Sequence, residues 1–398
     1  MYQSMFAVRA FVLGGIVAML LLAPIAGAHA SQFKVLYSFT GGSDGGNPGA
    51  GSLIMDMSGN IYGSALEGTG TVYRLTSKGS ETTLYTFSEG SGGFEPEGLI
   101  VDDSGDLWGP ALSGGDDGGC GVIFKISSKG KESVVHTFSG PPKDGCSPSG
   151  ELITDSSGNF FGPTAGGGKN RGGSVFMLAH DGVESLIHSF SPKHGGFNPL
   201  GGLIMDANDN LYGVDAQGGR SKSGAVFKVT KEGLEAIVYA FKGSPGDGAE
   251  PGSSLLRDRE GNLYGTTFGG GSRGCQSDSG CGVVFQIAPT GAETVLHFFD
   301  AKHGDGGNPT AGLIADSTGN LYGTTEYGGG NCGLTVYGCG TVFEITRGGT
   351  ETVLYSFGKG SKGANPTAGL LSDAKGNLYG TASEGGIYGY GSVFELIR

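Results

Sequence analysis

Short apolar runs alternate with glycine-rich polar stretches along almost the whole chain, and no helical period emerges from the alternation. Runs of this length, bounded by Gly, Asp, Asn and Ser, predict β-strands joined by tight turns. One run recurs seven times. Its copies are Gly59-Asn60-Ile61-Tyr62-Gly63, Gly105-Asp106-Leu107-Trp108-Gly109, Gly158-Asn159-Phe160-Phe161-Gly162, Asp209-Asn210-Leu211-Tyr212-Gly213, Gly261-Asn262-Leu263-Tyr264-Gly265, Gly319-Asn320-Leu321-Tyr322-Gly323 and Gly376-Asn377-Leu378-Tyr379-Gly380. The last glycines of the copies lie 46 to 58 residues apart. Repeats of that length with several strands each are what propeller blades produce.

Each period carries four strand-like segments. An apolar run ending in aspartate comes first, as in Gly312 to Asp316. The Leu-Tyr-Gly-Thr-Thr segment is second, and a glycine-rich loop leads from it to a Val-Phe strand such as Thr341 to Ile345. The fourth is exemplified by Glu351 to Phe357. Asp-x-x-Gly joins the first two strands in six copies: the aspartate accepts hydrogen bonds from turn amides and glycine takes the left-handed position. Asp209 replaces that glycine in the fourth copy, and aspartate tolerates the same conformation. One carboxylate per blade at a hairpin is turn chemistry, and so are Glu81, Glu132, Glu184, Glu235, Glu293 and Glu351 at the start of the fourth strands.

The last repeat ends after its third strand, at Phe394 to Arg398, and the missing fourth strand stands at the other end of the chain. Phe33-Lys34-Val35-Leu36-Tyr37-Ser38-Phe39 matches Glu351 to Phe357 almost residue for residue. A ring needs such an offset, because its N-terminal strand completes the last blade and leaves no open sheet edge. The expected fold is therefore an all-β, seven-bladed β-propeller of four antiparallel strands per blade, closed by the N-terminal strand. It occupies residues 31–398 as a single domain.

Composition adds compartment and partner class. The 83 glycines go with 37% hydrophobic and only 16% charged residues, which excludes a disordered chain and leaves a turn-rich one. Arg9, the apolar run Phe11 to Ala28 and the site Ala28-His29-Ala30 read as a signal peptide over residues 1–30. The mature chain is then exported, extracellular or periplasmic, with no membrane insertion after cleavage. A net charge of −13 argues against nucleic acid as a partner. Six cysteines in an exported chain predict three disulfides. The second-to-third-strand loops and the blade-to-blade connections share one face of a propeller. On that face the expected pairs are Cys120–Cys146, Cys275–Cys281 and Cys332–Cys339. No metal site and no cofactor is expected, since the cysteine spacings match no zinc pattern.

No nucleophile elbow, zinc-binding His-Glu-x-x-His or phosphate loop is present, so no catalytic residue is assigned. His136, His188 and His297 stand where other fourth strands carry tyrosine, which makes them packing residues. His194 and His303 lie in connections without evident partners. Every connection ends in a polar residue before proline: Asn47, Glu95, Ser147, Asn198, Glu250, Asn308 and Asn365. Proline is expected to hold each in an extended conformation, where the seven can rim the channel mouth or bond their own loops. Phe94, Phe197, Phe268, Tyr327, Tyr337, Tyr388 and Tyr390 add aromatic rings to that face. Candidate ligand contacts are thus Asn47, Glu95, Asn198, Glu250, Asn308, Asn365, Tyr327 and Tyr388.

The assembled pattern, D-x-x-G-N-L-Y-G-T-T, then G-x-V-F, then E-T-V-L-Y-S-F, resembles the GloVer repeat of the "choice-of-anchor" bacterial proteins over residues 32–398. The resemblance implies an exported protein of unestablished activity and supplies no catalytic residues to carry over. Members often bear a C-terminal anchor, whereas this chain ends inside its last blade. A monomeric binding or scaffold propeller is expected, holding a glycan or protein on its loop-rich face. The alternative is a propeller lyase or hydrolase acting at the channel mouth.

Overall fold

A computed structural model describes residues 32–49, 51–88, 92–115, 119–193, 195–272, 280–330, 338–358 and 360–398. All regular elements among them are strands. They form the seven antiparallel blades of a β-propeller, four strands each with a short fifth strand, Phe94–Pro96 or Gly145–Pro148, added in blades 2 and 3, and contacts set off Ser31–Arg398 as one unit. Blade 1 consists of Ile54–Met55, Ile61–Ala65, Thr71–Leu75 and Glu81–Thr86, and blades 2 to 6 repeat this order. In blade 7, Leu371–Ser372, Leu378–Ala382 and Ser392–Ile397 are completed by Gln32–Ser38 from the N-terminus. Phe33 pairs there with Leu396 and stacks on Tyr355 of blade 6, ring centroids 3.8 Å apart.

The repeated hairpin has a closed hydrogen-bond inventory. In all seven copies the carboxylate that ends the first strand accepts the amide of the residue four positions on, at 2.8–3.0 Å. Asp316 also accepts from Asn320 Nδ2, Thr318 Oγ1 and the Tyr322 hydroxyl. Burial alone would raise the Asp316 carboxyl, but these donors overcome it and hold the group below the ordinary carboxylate range. Asp209 takes φ +61° in place of the turn glycine. Leu321 and Tyr322 are buried, so the recurrent motif is a turn with a packed foot.

Both faces of each third strand are covered, because every blade is sandwiched between two others. Val72 packs toward blade 2 while Tyr73 and Leu75 pack toward blade 7, the two-residue alternation of a strand. Seven hydrophobic clusters result, each shared by two adjacent blades. A ring of aromatic contacts runs through them. The phenylalanine after each fourth strand meets the third strand of the next blade, as in Phe39–Tyr73, Phe138–Phe176 and Phe357–Phe394, with centroids 5.1–5.4 Å apart. Such aromatic pairs add about 1 kcal/mol each beyond their buried area.

A second ring lies at the loop-rich face and corrects the expectation for the residues before proline. Asn47, Glu95, Ser147, Asn198, Glu250, Asn308 and Asn365 all have φ between +53° and +61°; none is extended. Interblade hydrogen bonds override the local preference. Each of these amides donates to a loop carbonyl of the preceding blade, for example Glu95 N to Thr69 O at 3.2 Å and Asn365 N to Cys339 O at 2.8 Å. The proline that follows seats its ring on a positive-φ glycine of that same loop, Pro96 on Gly70 and Pro48 on Gly391 among them. This seat recurs at all seven boundaries, including the one between blades 7 and 1.

Candidate functional site

The seven residues before proline do not form a uniform rim. Asn308 and Asn365 are buried, and their Nδ2 groups donate to backbone: Asn308 to Phe268 O and Gly280 O, Asn365 to Glu326 O. Glu95 is half-buried and accepts from Ser113 Oγ at 2.9 Å. Ser147 and Asn198 are half-buried, whereas Asn47 and Glu250 are exposed. Tyr327 is half-buried, and burial, with the hydrogen bond to Glu326, raises its phenol. Tyr388 is 59% exposed and stands with Ile387 and Tyr390 in the second-to-third loop of blade 7. The predicted ligand residues thus differ widely in burial, from buried Asn308 to exposed Tyr388.

Cys120 and Cys146 are disulfide-bonded, Cα atoms 4.4 Å apart, and tie the second-to-third loop of blade 2 to the connection that leaves it. Cys281 and Cys339 are also disulfide-bonded. Their expected partners Cys275 and Cys332 lie outside the described residues, as do His194 and Tyr337. His303 is exposed in its connection, with φ +55°.

Two groups went unnoticed in the sequence. The first lies at the innermost strands. Glu151 of blade 3 crosses above Gly98 of blade 2 and accepts the Ser52 amide of blade 1 at 2.9 Å. Gly98 makes the crossing possible, since a Cβ there would lie 3.3 Å from Glu151 Cα and nearer still to its Cγ. Glu97 is adjacent. Burial pushes its carboxyl up to about 7, the Glu95 and Glu151 charges push the same way, and a hydrogen bond from the Gly150 amide opposes them. Position in the repeat was the available signal: Glu151 stands where the other blades have Gly or Ser before the first-strand leucine.

The second is a cleft of about 750 Å³ beside blade 4, lined by Lys193, Phe197, Gln217, Arg220, Lys222 and Ile237. Lys193 comes from the connection into the blade, Phe197 from its first strand, Arg220 and Lys222 from its second-to-third loop. Among the described residues none of the three cations enters an ion pair. Blade 3 repeats the pattern with exposed Lys169 and Arg171 in its own loop. In a chain of net charge −13 this is a local reversal of sign. The two loops could have been matched by their shared Gly-Gly-basic-x-basic spacing.

Ring closure and blade count define the class: a seven-bladed repeat propeller. The chain belongs to the Gloeobacter/Verrucomicrobia repeat family, whose model matches residues 65–277 and 273–398. A search of curated proteins returns no match. Among solved structures, the chain is similar to virginiamycin B lyase from Staphylococcus aureus, with a TM-score of 0.61 and 14% identity over 92% of this chain and 100% of that one. It is also similar to the extracellular domain of a hybrid two component system from B. thetaiotaomicron, with a TM-score of 0.59 and 13% identity over 92% of this chain and 41% of that one. The extracellular domain of a one component system from the same organism gives 0.57 and 12%, over 91% of this chain and 39% of that one. The chain thus spans about two fifths of those two extracellular domains. Identities this low establish the shared fold.

Proposed function

We propose that the protein is an exported, non-enzymatic binding propeller that holds an acidic glycan on its loop-rich face, in the cleft beside blade 4. The carrying observation is that cleft. It brings three cations outside any described ion pair and one aromatic ring together on rigid strands and short loops of an otherwise acidic chain. A saccharide presents an apolar ring face for Phe197 and hydroxyls for Gln217, while carboxylate or sulfate substituents suit Lys193, Arg220 and Lys222. Export is supported by the leader pattern of residues 1–30 and by the Cys120–Cys146 bond, which fits an oxidising compartment.

A glycan array containing neutral, uronate-bearing and sulfated polymers, read for both binding and cleavage, tests the proposal. Retention of acidic polymers without cleavage is expected. Loss of one cation, as in Arg220→Ala, should weaken binding about tenfold, roughly 1.4 kcal/mol. Turnover of any polymer would sink the binding reading, and undiminished binding by the Lys193→Ala/Arg220→Ala/Lys222→Ala variant would sink the choice of cleft.

A lyase or hydrolase reading has one observation in its favour, the Glu97 carboxyl held near neutrality at the innermost strands. The charges acting on it are the carboxylates Glu95 and Glu151, so no cation or base accompanies it among the groups that set its ionisation. Binding is the better-supported function.

A further inference from the structure

The boundary between two blades holds a recurring triad. A bulge in each fourth strand interrupts its pairing with the third strand just before a tyrosine or histidine. Bulges re-aim side chains in this way. At the 7/1 and 4/5 boundaries the residue is tyrosine, and its hydroxyl donates to a connection aspartate: Tyr37 to Asp44 at 2.8 Å and Tyr239 to Asp247 at 2.9 Å. The glutamate that opens the next fourth strand, Glu81 or Glu293, acts electrostatically on the same tyrosine.

At the 2/3 and 5/6 boundaries histidine replaces the tyrosine, and the chemistry changes. His136 Nε2 lies 3.4 Å from Asp144 Oδ2, and His297 Nε2 lies 3.3 Å from Asp305 Oδ1. With Glu184 in the first case and Glu351 in the second, the three potential ligand atoms fall within 4.8 Å of one another. Among the described residues, Glu184 Oε1 and Glu351 Oε1 are buried with no hydrogen-bond partner. An unpartnered glutamate oxygen also occurs at tyrosine boundaries, so the imidazole is what distinguishes these two. A phenol donates its one proton to a carboxylate, whereas a neutral imidazole also offers a lone pair.

We propose that His136, Asp144 and Glu184, and separately His297, Asp305 and Glu351, each bind a divalent ion of the zinc class that clips blade 2 to blade 3 and blade 5 to blade 6. Tetrahedral bonds of about 2.0–2.1 Å place neighbouring ligand atoms about 3.3–3.4 Å apart, the separation of each histidine–aspartate pair. One imidazole nitrogen and two carboxylate oxygens suit zinc better than calcium or magnesium, which take six or more oxygens. The aspartates are already oriented from behind. Asp144 accepts the Ser139 and Gly145 amides, and Asp305 accepts those of Asp300 and Gly306, at 2.6–3.0 Å. The third histidine boundary is an internal contrast. His188 Nε2 is 3.2 Å from Glu235 Oε2, but Gly195 stands where the connection aspartate would be.

The test is calorimetric titration of the purified, chelator-stripped chain with ZnCl2, alongside CaCl2 and MgCl2. Two zinc ions per chain are expected, with neither calcium nor magnesium bound at the same concentration. His136→Tyr installs the residue that sister boundaries use, so the ring should still close while one ion is lost. His136→Tyr/His297→Tyr should lose both, and His188→Tyr should lose neither. Glu184→Gln/Glu351→Gln gives a second route if a tyrosine variant fails to fold, and its expected result is at least tenfold weaker zinc binding. Unchanged stoichiometry in the double tyrosine variant, or no zinc uptake by the folded chain, would overturn the assignment.

Discussion

If the blades are locked by prolines seated on glycines, adding one methyl group at a seat should loosen the ring far more than adding it at a turn. Gly70 is the clearest seat. Its φ is +97°, and a Cβ there would come within 3.0 Å of Pro96 Cγ and nearer still to Cδ, while the nearest backbone atom, Ala65 O, is 3.3 Å away. Positive φ costs an L-residue about 1–2 kcal/mol. Overpacking against the ring adds about 1–3 kcal/mol, so Gly70→Ala should destabilise by about 2–5 kcal/mol in sum. Gly59, in the same blade, is the control: φ is +76°, but a Cβ would meet nothing within 4 Å. Gly59→Ala should therefore cost only the conformational part, about 1–2 kcal/mol. Urea unfolding followed by fluorescence of Trp108, the single tryptophan, reports both, since that indole is buried between blades 2 and 3. Pro96→Ala should rescue part of the Gly70→Ala loss, with a coupling energy of about 1–3 kcal/mol in the double-mutant cycle. Equal losses at Gly70 and Gly59, or no coupling to Pro96, would refute the seat as the interblade lock.

Three further outcomes follow from the same structure. The folded state holds the Glu97 proton more tightly than the unfolded chain between the ordinary glutamate value of 4.5 and about 7, so stability should fall as pH rises through that window. The full loss is about 3 kcal/mol above pH 7, and Glu97→Gln should flatten the slope; a variant with the wild-type pH profile between 5 and 8 would contradict it. At the seam, Phe33→Ala removes a ring stacked on Tyr355 and should cost about 2 kcal/mol for a half-buried aromatic. Deleting Phe33 to Phe39 should leave the Ser392–Ile397 edge unpaired and cause association, which size-exclusion chromatography detects; a stable monomer would refute closure by the N-terminal strand.

Most of the architecture was legible from internal comparison. Residues that recur through the repeats, such as Asp316 in all seven copies, Gly319 in six and Tyr322 in five, satisfy one another within a few positions, so their roles could be read locally. Closure was readable because Phe33 to Phe39 supplies the segment that the last repeat lacks. The residues before proline were read wrongly for the same local reason: Asn308-Pro309 in isolation favours an extended asparagine, whereas in the ring its left-handed conformation goes with bonds to Cys281 O, Phe268 O and Gly280 O of the preceding blade.

The sequence alone determined the number of blades, the turn chemistry and the ring, because each repeat encodes the same short-range bonds and the same two-sided apolar strands. The tertiary structure decided which residues from different blades meet. It brought Glu151 across Gly98 to Ser52, gathered Lys193, Arg220 and Lys222 around one cleft, and set His136 and His297 against carboxylates of the next blade. Those juxtapositions depend on how neighbouring blades seat against one another, and no spacing within a single repeat records that distance.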